Sequence, residues 1–271
     1  MKKNDQSQMD SMERKVLIEL LYQLADDDFI LAYRGSEWLG LAPHIEEDVA
    51  FSSINQDMMG HAAMFYQLLE DLGEGHVDIL AHGRSSKDRK NAVLLELVNG
   101  PGHYLEKPKF DWAFTVVRHY FYTQFKKIRM ESLKNSSYQP LADVAVKVNM
   151  EIYYHLLHWK TWFMQLIDAN DEARNRMETA VQQVFDEFAD VLSYGPNGRE
   201  IAEAGFIDKE EIITQMWKHQ LLTVFESVNL SIPIKIKTKS GKGREGFHTD
   251  DLAVALSILS EVYHIDPAAN W

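Results

Sequence analysis

The 271-residue chain contains no cysteine. That absence excludes disulfides, thiolate metal sites, cysteine-ligated iron–sulfur clusters and a cysteine nucleophile within it, so any redox chemistry must use another ligand set or a partner. Positive charge is scarce: 28 Lys plus Arg stand against 41 Asp plus Glu, a formal net charge of -13. Nucleic acids and anionic membranes need a concentrated positive surface, and this balance argues against both as partners. Long apolar runs are missing as well. No stretch of about 18 or more apolar residues offers a membrane span, and Met1-Lys2-Lys3-Asn4-Asp5-Gln6 lacks the apolar centre of a signal peptide. The expected location is therefore the cytoplasm. There is no Gly-x-Gly-x-x-Gly or Walker sequence, no repeat of solenoid period, no low-complexity run and almost no strand-like alternation.

What remains is helical periodicity in a chain that is 45% apolar, long enough for a substantial core and near the usual ceiling for a single one. The pattern predicts an all-α, ferritin-like four-helix bundle with additional C-terminal helices. It forms one domain over 1–271, with the core bundle at about 9–167 and the extra helices at about 171–271. The first apolar-striped helix runs from about Met9 to Leu39, with Leu17, Leu20, Leu21, Leu24, Phe29 and Leu31 as core candidates. Pro43 fits the first turn of a second helix reaching Gly73, whose Glu46, Glu47 and Asp48 suit the positive end of a helix dipole. A looser stretch holds a short helix at Asn91 to Val98 and a turn at Gly100-Pro101-Gly102. Helices follow over Asp111 to Leu133, Leu141 to Ile167, Asp171 to Leu192, Asp208 to Val228 and Thr249 to Tyr263. Four long helices with one longer crossover between the second and third match the ferritin-like topology.

Two histidines carry the functional argument. On the second helix the apolar stripe Ile45, Val49, Ile54, Met58, Phe65, Leu68, Leu72 includes His61; on the fourth, Leu141, Ala145, Val148, Ile152, Trp159, Trp162, Leu166 includes His155. Residues three and four apart share a helix face, so both histidines point into the bundle. A di-metal bundle draws a Glu-x-x-His pair from each of two helices and one acid from each of the other two. Here the positions three before the histidines are Met58 and Ile152. Asp57 and Glu151, four before, also share their faces, and a spacing of four can chelate. Glu37 or Asp28 offers an acid on the first helix, but the third has none between Asp111 and Glu131. The favoured reading is two core histidines hydrogen-bonded to nearby acids or carbonyls, with Glu37, Asp57, His61, Glu151 and His155 the remnants of a metal site. Glu47 is also expected nearby, and Arg34, Arg118 or Lys147 is expected to compensate a buried carboxylate.

Other constellations are weaker. Tyr154, His155 and His158 with Trp159-Lys160-Thr161-Trp162-Phe163 read as core aromatics before they read as a ligand pocket. The basic connector from Ile232-Pro233-Ile234-Lys235 to Arg244 could meet the phosphates of coenzyme A, but reads first as a solvated loop. His119 and His219 have no supporting residue at ligand spacing.

Several segments together resemble a known family. They are Ala25-Asp26-Asp27-Asp28-Phe29 through Tyr33-Arg34-Gly35-Ser36-Glu37-Trp38-Leu39-Gly40 to Pro43, Asn55-Gln56-Asp57-Met58-Met59-Gly60-His61, Glu151-Ile152-Tyr153-Tyr154-His155-Leu156, Gly246-Phe247-His248-Thr249-Asp250-Asp251-Leu252 and Asp266-Pro267-Ala268-Ala269-Asn270-Trp271. Their combination resembles the PaaC-type subunits of bacterial ring 1,2-phenylacetyl-CoA epoxidases, although many of those have Gln where His61 stands. The resemblance implies a ferritin-like structural subunit with no cofactor of its own. It pairs with a homologous catalytic PaaA-type subunit that carries the di-iron centre, alongside a small bridging subunit and a flavin and iron–sulfur reductase, in a complex that epoxidises phenylacetyl-CoA. Met-rich and aromatic surface positions are then the expected docking anchors. Two alternatives stay open: a self-sufficient ferritin-like di-metal oxidase using Asp57, His61, Glu151 and His155, and a free homodimeric bundle that binds a small thioester.

Overall fold

Capping residues set the boundaries of the long helices. In the computed structural model, which describes residues 9–231, 233 and 235–269, α1 spans Ser11–Ser36 and α2 spans Ile45–Asp71. His44 caps α2, its Nδ1 accepting from the Glu47 N–H at 3.3 Å, so Pro43 stands just before the helix and not within its first turn. Asp111 caps α4 (Trp112–Leu133) through Oδ1 and the Phe114 N–H at 3.2 Å. Pro140 sits in the first turn of α5 (Gln139–Ala169), and Asn170 caps α6 (Asp171–Phe185) through the Ala173 N–H at 2.9 Å. The short α3 occupies Val93–Glu96 within the crossover, where a π-helical turn at Ile79–Gly83 was not anticipated. Met1 to Gln6, Ile232, Ile234, Asn270 and Trp271, which entered the sequence reading, lie outside the described residues.

The chain is all-α, and its long helices, two before and two after the crossover, follow the ferritin-like order. Among the described residues there is no strand, only isolated bridges at His103–Glu106 and Lys242–Phe247. None of the helices is long and apolar enough to cross a membrane. Two predicted helices divide. The segment Asp171 to Leu192 becomes α6 and α7 (Phe188–Leu192) because the chain near Lys237 interrupts it: Lys237 N–H donates to Phe185 O and Ala189 N–H donates to Lys237 O, both at 2.9 Å. Thr249 to Tyr263 becomes α10 (Asp250–Leu259) and α11 (Glu261–Ile265). Between α7 and α9 (Glu210–Ser227) the turn at Gly198 opens a further short helix, α8 (Gly198–Glu203).

Packing divides the chain into two compact units, Met1–Leu17 with Phe110–Lys239, and Ile18–Lys109 with Ser240–Trp271. Each draws on sequence from both sides of residue 167, where the core bundle was expected to end. In the first unit Phe121 of α4 is the hub: its ring lies 5.7 to 6.4 Å from those of Phe163, Phe185, Phe188, Trp217 and Phe225. Trp217 stacks on Phe188 at 4.3 Å and donates its indole N–H to Phe121 O at 3.1 Å, so α9 is fastened to α4 by area and by a hydrogen bond. In the second unit the core contains Leu20, Leu21, Phe29, Leu31, Phe65, Leu69 and Leu94, all under 5% exposed.

Trp217→Ala is expected to destabilise the chain by about 3–5 kcal/mol, and Trp217→Phe by much less because only the indole bond and part of the area are lost. Equilibrium urea unfolding of both variants checks this; equal losses would remove the packing argument.

Candidate functional site

The residues that the sequence singled out as candidate ligands fall into both units. Glu37, Asp57 and His61 belong to the second, Glu151 and His155 to the first. Glu37, at the C-terminal end of α1, is already spoken for: its Oε1 accepts from Arg34 Nη1 at 2.9 Å and its Oε2 from Asn99 Nδ2 at 2.8 Å. Arg34 also donates to Glu96 O at 2.7 Å and to Asp251 O at 2.9 Å, so the pair ties α1 to α3 and α10. Arg34 is thus the compensating cation foreseen from the sequence. Arg118 is buried with its guanidinium 4.9 Å over the Phe114 ring, and Lys147 is exposed.

His61 is fully buried on α2 between Met58 and Phe65, with Asp57 half-buried and Glu47 buried on the same helix. The apolar face of α2 differs at its start from the expected stripe: Ile45 and Val49 are 75% and 67% exposed, and Phe51 takes the inward position. On α5, His155 is buried between Ile152 and Trp159, and the buried face continues through Phe163 and Ile167, not through Trp162 and Leu166. Glu151, the acid one turn before His155, is exposed. His119 is more deeply placed than the sequence indicated: Nδ1 lies 2.8 Å from Thr115 O and the ring 4.7 Å from Trp159. Burial, then Arg118, pushes its pKa well below the ordinary histidine value and keeps it neutral. His219 is exposed.

These residues do not fit a di-iron centre. The positions where the pattern requires bridging carboxylates hold buried Met58 and Ile152, Glu37 is held by Arg34 and Asn99, Glu151 is exposed, and α4 supplies no acid before Glu131. Among the described residues no three His, Asp or Glu side chains form a group that could hold a metal ion.

A dense cluster of buried charge lies elsewhere, and of it sequence reasoning singled out only Asp28. Asp26, Asp27 and Asp28 are consecutive on α1 and all at most 1% exposed. Asp26 pairs with Arg84 and with Arg89 at 3.2 Å, and accepts from Tyr66 Oη at 2.7 Å and the Lys90 N–H at 2.8 Å. Asp27 takes a two-pronged bond from Arg244, Nη1 to Oδ1 at 2.8 Å and Nη2 to Oδ2 at 2.7 Å, plus the Ala92 N–H at 2.9 Å. Glu96 accepts from Asn91 Nδ2 (2.8 Å), Thr249 N–H (2.7 Å) and Thr249 Oγ1 (2.9 Å), with His248 Nδ1 at 2.7 Å. The available signal was an acidic triplet set between Leu24 and Phe29 in an apolar stripe, which can be buried only with cations supplied from elsewhere.

The basic connector supplies one of them. Arg244 is fully buried, in contrast to the solvated loop expected there, and a Cβ on Gly243 would overlap Asn91 O, so only glycine lets this segment approach so closely. Lys237 and Lys239 both pair with Asp186, and Lys242 with Glu245 at 2.9 Å. Four of the connector's cations, Lys237, Lys239, Lys242 and Arg244, are thus paired within the chain, while Lys235 is exposed.

A family model described as phenylacetic acid catabolic protein matches residues 1–271. The C-type component of the 1,2-phenylacetyl-CoA epoxidase of Escherichia coli (strain K12) is 26% identical over 250 residues, which cover 92% of this chain and 96% of that protein.

Removing one partner of the Asp27–Arg244 pair strands the other charge, so Arg244→Met is expected to cost about 3–5 kcal/mol, whereas Arg244→Met with Asp27→Leu recovers much of it. Urea unfolding of the single and double variants checks this, and strictly additive losses would contradict it. Burial pushes the Asp26 carboxyl up, but Arg84, Arg89 and the hydrogen bonds from Arg84 and Tyr66 outweigh burial and leave its pKa below 3.8. Its stabilising contribution is therefore complete above the unfolded-state value and disappears as pH falls through the lower folded one. Acid unfolding below about pH 4 should accordingly be shallower in Asp26→Asn than in the parent, as followed by circular dichroism.

Proposed function

Because the chain belongs to the phenylacetic acid catabolic protein family, we propose that it serves phenylacetate catabolism in the cytoplasm as a structural, non-catalytic subunit of a multicomponent di-iron monooxygenase. Its partner is a homologous PaaA-type subunit that carries the iron and epoxidises phenylacetyl-CoA. The complex also holds a small bridging subunit, and it draws on a reductase whose iron–sulfur cluster must reside in another chain, since this one has no cysteine.

The observation that carries the reading is the pair Met58 and Ile152, buried to 4% and 0% one turn before buried histidines. Apolar side chains there pack against neighbouring helices where a catalytic sibling needs carboxylates, so the helical frame is kept while its metal chemistry is given up. What such a subunit offers instead is surface. On α5 an unbroken row of apolar side chains, Val146, Met150, Tyr153 and Leu157, is 47%, 64%, 58% and 54% exposed at positions i, i+4, i+7 and i+11. Tyr154, 70% exposed, flanks it. A row of this kind, rich in Met and Tyr, supports docking against a partner chain.

The purified chain alone is expected to contain iron far below the pair per chain of a di-iron site, and to form a stable complex when co-produced with a PaaA-type subunit. Stoichiometric iron with oxygen consumption by the isolated chain would contradict the proposal. Tyr153→Glu with Leu157→Glu should weaken the complex at least ~10-fold, about 1.4 kcal/mol, without altering the helicity of the free chain. Affinity measured by calorimetry decides, and an unchanged value would show that α5 does not face the partner.

A further inference from the structure

One side of α2 faces outward along the first half of the helix. Ile45, Val49, Ser52, Gln56 and Met59 recur at three and four residues, and Gly60 follows Gln56 by four, so all six share that side. Ile45 and Val49, with Leu39 from the turn after α1, are 66–75% exposed. Apolar side chains scattered over a surface are ordinary, but these three gather beside a cavity of about 270 Å³ in the second unit. Leu39 lines it together with Ser52, Gln56 and Met59, and Trp38 and Phe51 supply buried apolar walls. The turn after α1 is tied to α2 at this point, because the Gly40 N–H donates to Asp48 Oδ1 at 2.7 Å.

Gly60 lies inside α2 and is exposed, where a Cβ would meet no atom within 4 Å. Glycine within a helix is destabilising relative to alanine, and the chain's own packing does not require it here. Close approach by another backbone does account for it. Charge narrows the partner further: between Arg34 and Arg84 the sequence has no Lys or Arg, while acids recur throughout. Beside the row stand Glu46, exposed next to the His44 imidazole, and half-buried Asp48. A second copy of this chain, meeting the first across a two-fold axis, would set these acids against their own images. An anionic membrane would be repelled for the same reason.

We propose that this face docks a basic segment of a partner chain, with one aromatic side chain in the cavity, the backbone close against Gly60, and Lys or Arg beside Glu46 and Asp48. The cavity lies below the range of about 300–1,000 Å³ typical of small-molecule sites, whereas an apolar cavity of about 150 Å³ suffices for benzene. One aromatic ring therefore fits. An aromatic anchor seated in a pocket, with complementary charge at the rim, is how a small area of contact gains strength and selectivity. The inference does not depend on the role proposed above, since the α5 row lies in the first unit and this face in the second.

Photo-crosslinking in the cells that produce the full chain tests it. p-Benzoylphenylalanine is placed at Val49, at Tyr153 on α5, and at exposed Thr179 as a control, and the adducts are mapped by mass spectrometry. The Val49 adduct is expected on one segment of a different chain, with an aromatic residue flanked by Lys or Arg. That segment, made as a peptide, should bind the full chain at least ~10-fold more weakly after Gly60→Leu or Met59→Trp, and more weakly as salt rises. Both variants should be folded by circular dichroism, and Gly60→Leu in particular meets open space in the free chain. A Val49 adduct without a Tyr153 adduct would uphold this face while counting against docking at α5. No Val49 adduct above the Thr179 control, an adduct on lipid, on a second copy of this chain or on an acidic segment, or affinity indifferent to Gly60→Leu would overturn the assignment.

Discussion

Three consecutive carboxylates buried in one helix constrain the second unit more than any other feature. An isolated buried carboxylate is untenable, so Asp26 and Asp27 can be buried only if guanidiniums are delivered to them. They come from distant parts of the sequence, Arg84 and Arg89 from the crossover and Arg244 from the connector before α10. Each delivery fixes the backbone that carries it. The Lys90 and Ala92 N–H groups donate to the same acids, Lys90 O accepts from Arg244, and Glu96 gathers Asn91, His248 and Thr249. A long crossover with little helix of its own is thereby pinned to α1 by charge and hydrogen bonds, where a helix would have been held by an apolar face.

Such a network trades stability for register. Buried ion pairs rarely outperform well-packed apolar residues of equal volume, but a two-pronged guanidinium–carboxylate bond tolerates little displacement. The first unit has a large aromatic core. Its centre is a cluster of aromatic rings around Phe121, where area, ring geometry and the Trp217 indole bond hold α4 to α5, α6 and α9.

His61 and His155 are buried on long helices with Met58 and Ile152, also buried, one turn before them. Glu37, the acid on α1 that might have joined them, is bound by Arg34 and Asn99, and Glu151 faces solvent.

Helix identity and order were legible in the sequence because apolar residues recur at three and four, and because Asp111, Pro140 and Asn170 mark ends through local hydrogen bonding or fixed φ. The burial of His61 and His155, and the apolar residues at 58 and 152, were legible for the same reason, since a helix face is a property of spacing alone. The splitting of α6 from α7 was not, because it depends on backbone bonds with Lys237 some fifty residues away. Nor was the outward turn of Ile45, Val49 and Glu151, which depends on which neighbours cover each end of a helix. The destinations of Asp26 and Asp27 belong to the same class. Local periodicity determined which residues share a face; only the folded chain decided what that face meets, because charge pairing and cavity formation are relations between segments far apart in sequence.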